Sequence, residues 1–187
     1  MERARSPRRK RNWAIGLGLA AIGVGAALYF ARPDDPTSLR ATIDLRFPDT
    51  HWIDGVTLAQ RMADLAAQPV VLDVREPAEF AVSHLRGARR VDPELVDVGA
   101  LHLDPDVPVV VYCSVGYRSA AIIPRLRAAG VHDVRNLVGG IFQWATDGRP
   151  LYRGESRVSV VHPYDTMWGT LLRPELRAEV PRPPEAP

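Results

Sequence analysis

One cysteine, Cys113, and one lysine, Lys10, occur in a chain of 187 residues that carries 24 basic side chains in all. A lone cysteine excludes an internal disulfide framework and any cysteine-built zinc cluster. The five histidines (His51, His84, His102, His132 and His162) include no pair three or four residues apart, the spacing a helical metal site needs. The sequence therefore calls for no structural metal. Positive charge is also scarcer than it first appears. Six basic residues but only one acid, Glu2, precede residue 12, leaving 18 basic and 21 acidic residues and a net charge of −3 for the rest. A mildly acidic body argues against nucleic acid as a partner.

What is present divides the chain in order. Residues 1–12 form a basic N-terminus. Trp13 to Phe30 is an uncharged, proline-free run of 18 residues. As a helix it would rise about 27 Å, close to the ~30 Å hydrocarbon thickness of a bilayer. A cleaved signal peptide has a shorter apolar core, roughly 7–15 residues, and the bulky Leu28, Tyr29 and Phe30 make a poor cleavage site. Residues 13–30 thus predict a single-pass anchor in a bacterial inner membrane. The basic flank keeps residues 1–12 in the cytoplasm and puts the chain after Ala31 on the periplasmic, extracytoplasmic side. Residues 31–50, with prolines and little periodicity, read as a linker. Residues 51–153 read as one α/β domain with a mainly parallel central sheet flanked by helices. Its strands are expected at Val70–Val74, Val107–Tyr112 and Val134–Leu137. Its helices are expected at Val56–Ala67, Pro77–Val82, Ser119–Ala129 and Gly140–Thr146. Residues 154–187 form an extension with a candidate strand at Val158–Val161, helical spacing over Trp168–Arg177, and a disordered proline-rich end. Nothing in the pattern fixes an oligomeric state.

The segment most suggestive of chemistry is VVVYCSVGYRSAAI, residues 109–122. A buried strand would deliver Cys113 to its carboxyl end, where α/β sheets place their ligand sites. The loop Ser114, Val115, Gly116, Tyr117 comes after it, with Arg118 next and a helix opening near Ser119. Backbone N–H groups at a helix start attract anions and favour thiolate over thiol. Gly116 allows a tight curl with successive amides turned inward, and Arg118 adds a cation suited to an oxyanion. A lone cysteine without context is more often a small buried hydrophobe. Here strand end, glycine, arginine and helix start coincide, which favours a nucleophile. Pro124 in the second turn predicts a kinked or shortened helix.

Four segments resemble the rhodanese family, in order and with compatible spacing: LDVREPAEF (72–80), HLRGA (84–88), PVVVYCSVGYRSA (108–120) and GGIFQW (139–144). The resemblance covers about residues 52–150. It implies a sulfurtransferase that moves a sulfane sulfur from a small donor such as thiosulfate, through a persulfide on Cys113, to a thiol, cyanide or protein acceptor. Cys113 would be the nucleophile, and the loop amides from Ser114 to Ser119 would hold the persulfide. Arg118 would orient the anionic donor, and no cofactor is implied. Asp73 and Arg75 would brace the site, while His84, Gly139, Gly140 and Trp144 would serve structure. Tyr117 would line the donor entrance if it has a role. His162, Tyr164 and Trp168 are expected only to pack on the domain. Two rivals stand beside this reading. One is a membrane-held module that binds or senses sulfur without turnover. The other is a cysteine-dependent phosphatase, disfavoured because only four residues separate Cys113 from Arg118 where such phosphatases have five.

Overall fold

The computed structural model describes residues 36–64, 66, 68–94 and 98–179. The basic N-terminus, the apolar run 13–30 and the proline-rich end from residue 180 lie outside the described residues. No helix among those described is long and apolar enough to cross a membrane.

Five short strands make a parallel sheet. In chain order they are β1 (Trp52–Ile53), β2 (Val70–Asp73), β3 (Arg89–Arg90), β4 (Val109–Tyr112) and β5 (Val134–Leu137). Their spatial order is β1-β5-β4-β2-β3, and every neighbouring pair is parallel. The α/β architecture expected from alternating strands and helices is therefore present. β4 lies in the middle, and all four of its residues are buried. An uninterrupted Val-Val-Val-Tyr run suits a strand covered on both faces, which no alternating pattern would. Against it pack Leu72, Ile122, Ile123, Leu126 and Val134, so the core is built around the strand that leads to Cys113.

The helices are α1 (Pro36–Arg46), α2 (Gly55–Ala63), α3 (Pro77–Val82), α4 (Tyr117–Ala128) and α5 (Gly140–Thr146). α1 corrects the linker reading over Pro36–Arg46. Leu39 and Ile43, one turn apart, are both buried, and Asp44 accepts the Trp52 indole N–H at 2.7 Å. Two apolar residues at helical spacing anchor this segment despite its proline-rich start. α4 runs through Pro124 to Ala128, so the helix is not shortened there. Pro124 faces solvent, where water can satisfy the carbonyl its ring leaves free.

Beyond the sheet, β6 (Leu151–Arg153) and β7 (Ser156–Val158) form an antiparallel hairpin. It is tied to the domain by paired backbone bonds between His84 and Tyr152, 2.8 and 2.9 Å. The strand expected at 158–161 thus ends at Val158. The expected helix over 168–177 is two short 3-10 turns, Trp168–Leu171 and Pro174–Leu176. This tail is secured by Val161, which donates to Leu176 at 2.7 Å and accepts from Ala178 at 2.9 Å.

Candidate active site

Cys113 follows β4 directly and is 1% exposed. Its Sγ accepts the Gly116 N–H at 3.1 Å, so the loop curls back onto its own sulfur. Gly116 has φ +105, in the left-handed region, which lets the turn close and start α4 in one step. Among the described residues, the N–H groups of Ser114 and Val115 find no hydrogen-bond partner, although both residues are buried. The first helical amides, from Tyr117 onward, lack intrahelical acceptors by construction. The loop thus forms a cup at a helix start, with the Gly116 N–H on the sulfur and the Ser114 and Val115 N–H groups unbonded, a setting that favours negative charge.

Two supports fix this cup; nothing local in the sequence points to the first, and the second reads there only as structural. The first is Asn136 on β5, fully buried beneath the loop. Its Nδ2 donates to the Gly116 carbonyl at 2.8 Å, and its Oδ1 accepts the Ser119 hydroxyl at 2.7 Å. Trp52, paired with Asn136 across β1 and β5, places its ring beside Gly116. Asn136→Leu would leave a buried carbonyl and a buried hydroxyl unpaired, an expected cost of about 2 kcal/mol in urea unfolding. Because the lost bonds hold the loop, Cys113 should also become more accessible to alkylation.

The second support is the start of α5. Ile141 donates to the Cys113 carbonyl at 2.9 Å, and Phe142 donates to that of Ser114 at 3.1 Å. This contact needs Gly140, where φ is +57 and a Cβ would overlap the Cys113 carbonyl oxygen. Gly140 thus acts by close approach to the loop, while Gly139, with φ +64, makes room for the Gln143 side chain. Gly140→Ala is expected to cost about 2–4 kcal/mol through backbone strain and overpacking, with the loss visible as a lower thermal midpoint.

Arg118, on the first turn of α4, is turned toward Glu79 of α3. Its Nη1 and Nη2 donate to the two carboxylate oxygens at 2.7 and 2.8 Å, and Nη2 also donates to Ser114 Oγ at 3.0 Å. Ser114 in turn donates its hydroxyl to Glu79 at 2.8 Å. Glu79 is 2% exposed. Burial alone would raise its carboxyl, but the Arg118 guanidinium reverses this and holds it below the usual glutamate range. Burial likewise works against the Arg118 charge, and Glu79 together with Cys113 overrides it and raises Arg118. Nothing local marks Glu79 beyond its place in a short helix after Pro77. Apart from the Glu76 N–H within its own helix start, its partners lie 35 and 39 residues away.

The other anticipated residues take up less uniform roles. Asp73 and Arg75 form a fully buried ion pair at 2.6 Å, and Arg75 also reaches the Ser83 carbonyl at 2.6 Å, tying β2 to the turn after α3. His84 stacks on Phe80, with Nδ1 bonded to the Leu85 carbonyl and Nε2 accepting from Gly154. The Tyr117 ring packs edge-on against Phe47, centroids 5.3 Å apart. Ser119 directs its hydroxyl inward to Asn136, so what it presents to the loop is its backbone. The tail reaches the site itself. The Tyr164 ring lies over Arg118, 4.9 Å from Cζ. Its N–H donates to Nδ1 of the buried His162 at 3.0 Å. Burial, the largest influence on the His162 imidazole, lowers it.

A parallel five-stranded α/β sheet with a cysteine cupped by amides at the end of its central strand places the chain in the rhodanese-like domain family, whose model matches residues 56–147. Its similarity to a sulfurtransferase of Allochromatium vinosum is 35% identity over 55% of this chain and 95% of that protein. A second relative is the thiosulfate sulfurtransferase GlpE of Ectopseudomonas mendocina, 35% identical over 40% of this chain and 69% of that protein. The solution structure of a rhodanese-like domain from Anabaena is 28% identical, with a TM-score of 0.50 over 59% of this chain and 86% of that domain.

Proposed function

We propose that the chain is a sulfurtransferase that carries sulfane sulfur as a persulfide on Cys113. The observation that supports this most strongly is the cup itself: a buried sulfur bonded to one loop amide, with the neighbouring amides of Ser114 and Val115 open. In the forward step the Cys113 sulfur attacks the outer sulfur of a donor such as thiosulfate. A sulfur–sulfur bond forms to Cys113, the donor's own breaks, and sulfite leaves with the electron pair. The terminal persulfide sulfur then lies among the loop amides from Ser114 to Ser119, which stabilise its charge. An acceptor thiolate, cyanide or a protein cysteine attacks that outer sulfur, and Cys113 departs as thiolate. No metal or cofactor enters either step, and the chemistry is nucleophilic catalysis by one side chain. Arg118, gripped by Glu79, fixes the loop. Asp73 and Arg75 hold β2 against the turn that closes α3.

The test is steady-state transfer from thiosulfate or an organic persulfide to cyanide or a dithiol, run beside phosphotyrosine hydrolysis. Sulfur transfer without hydrolysis supports the proposal, and hydrolysis without transfer contradicts it. Stoichiometric loading without turnover would favour the binding or sensing reading.

The proposal extends to placement. Residues 13–30 would anchor the chain in the inner membrane, with the sulfur site on the periplasmic side. Digestion of the domain by protease added to spheroplasts is the expected result, and full protection would contradict this orientation.

A further inference from the structure

Arg118 is the cation beside the loop, yet little of it remains available to an anion. A guanidinium has five N–H donors and recognises a planar or tetrahedral oxyanion through one of two forks, Nη1 with Nη2 or Nη2 with Nε. Both forks need Nη2. Here Nη2 donates to Glu79 Oε1 at 2.8 Å and to Ser114 Oγ at 3.0 Å, so both of its hydrogens are occupied. Nη1 serves the second Glu79 oxygen at 2.7 Å, and the carboxylate cancels the charge. One face of the same guanidinium carries the Tyr164 ring.

Tyr164 does not lie there by relaxation. Its φ is +67, a left-handed conformation that a bulky side chain adopts only at a cost in strain. The conformation is held by the Tyr164 N–H bond to the buried His162, next to Val161, whose backbone is paired on both sides. Gly169 packs so tightly on Pro163 that a Cβ there would lie 2.9 Å from the proline ring, closing residues 163–169 into a hook. The tyrosine at its tip is nevertheless 47% exposed, and Met167 and Leu171 nearby in the chain are exposed too. A strained, exposed aromatic held over a site cation is better suited to selecting substrates than to filling a core.

We propose that Tyr164 is a specificity-determining residue: with Glu79 and Ser114 it withdraws Arg118 from oxyanion recognition and turns the site toward sulfur carried on an organic thiol. The preferred donor class is then an organic hydropersulfide, R–S–SH, over oxyanions such as thiosulfate. This rests on the persulfide reading of Cys113. In the loading step the Cys113 thiolate attacks the outer sulfur and a Cys113–sulfur bond forms. The R–S–S bond breaks, and R–S takes the electron pair and the proton from the outer sulfur. The products are the Cys113 persulfide anion and R–SH, with no oxidant or reductant required.

The experiment measures single-turnover loading of the full-length protein by thiosulfate and by the hydropersulfide of N-acetylcysteine methyl ester. Intrinsic donor reactivities differ, so the diagnostic quantity is how the ratio of the two kcat/KM values changes between variants. Tyr164→Ala is expected to shift that ratio toward thiosulfate by about three- to tenfold, the range of one partly desolvated cation–π contact, and through KM. Tyr164→Phe, which keeps the ring, should retain the wild-type ratio. An unchanged ratio in Tyr164→Ala, or equal changes for both donors, would overturn the proposal. If neither donor loads the wild-type protein, the persulfide reading itself falls, which separates the two failures.

Discussion

Glu79→Ala is expected to destabilise the domain by about 3–5 kcal/mol, the cost of leaving a buried charge without its partner. That is a large part of the roughly 5–15 kcal/mol that holds an average domain folded. The carboxylate receives both ends of the Arg118 guanidinium, the Ser114 hydroxyl and the Glu76 N–H. Removing it orphans Arg118, whose side chain is 24% exposed, and frees the loop after Cys113. The double variant Glu79→Leu/Arg118→Met should recover part of the loss, because it removes both charges and restores apolar volume. Recovery stays partial since Ser114 and Glu76 still lose an acceptor. Urea unfolding of the two single variants and the double variant measures the coupling. A single-variant cost under about 1 kcal/mol, the value of a surface pair, would show that the ion pair does not hold the loop. The pair also fixes a pH dependence. The Glu79 carboxyl lies below its ordinary value of 4.5 in the folded state. Its contribution is therefore complete above that value and is lost as pH falls through the folded value, so the domain should weaken in acid below pH 4.5. Glu79→Gln should flatten this part of the profile.

The second large effect is chemical. Cys113→Ser should abolish sulfur loading, a fall on the order of a thousandfold or more, as for removal of other covalent nucleophiles. A serine hydroxyl is not ionised at neutral pH and is a poor nucleophile toward sulfur, and no second cysteine in the chain can substitute for Cys113. The fold should survive, because serine is nearly isosteric and the Gly116 N–H can still find an oxygen in place of Sγ. Stability near wild type with loss of transfer is the expected pair of results. Residual loading of the serine variant would place the sulfur elsewhere.

These two effects separate what local sequence encodes from what only the fold assembles. The strand, Cys113, Gly116 and the helix start are contiguous, so local rules sufficed: an apolar run, a glycine and a break in pattern. Gly139 and Gly140 were visible, but their purpose was not, because the atoms Gly140 makes room for belong to Cys113 and Ser114. Asn136 sits in a strand of otherwise ordinary composition, and only the parallel pairing of β4 with β5 sets it under Gly116. Glu79 looks like a solvent-facing acid on a short helix. α1 carries a readable signal in Leu39 and Ile43, four residues apart, which the surrounding prolines and acids obscure. The hook from His162 to Leu171 has no period at all. Its approach to Arg118 depends on the pairing of Val161 with the chain around Arg177, a contact that no local pattern encodes.

Mass spectrometry of the full-length protein after brief exposure to a sulfane-sulfur donor, with peptide mapping, tests the central claim most directly. The expected result is a gain of one sulfur atom per chain, located on Cys113, removed by a thiol acceptor and absent from Cys113→Ser. A protein that gains no sulfur from either thiosulfate or an organic hydropersulfide, or gains it equally in the serine variant, would contradict the account.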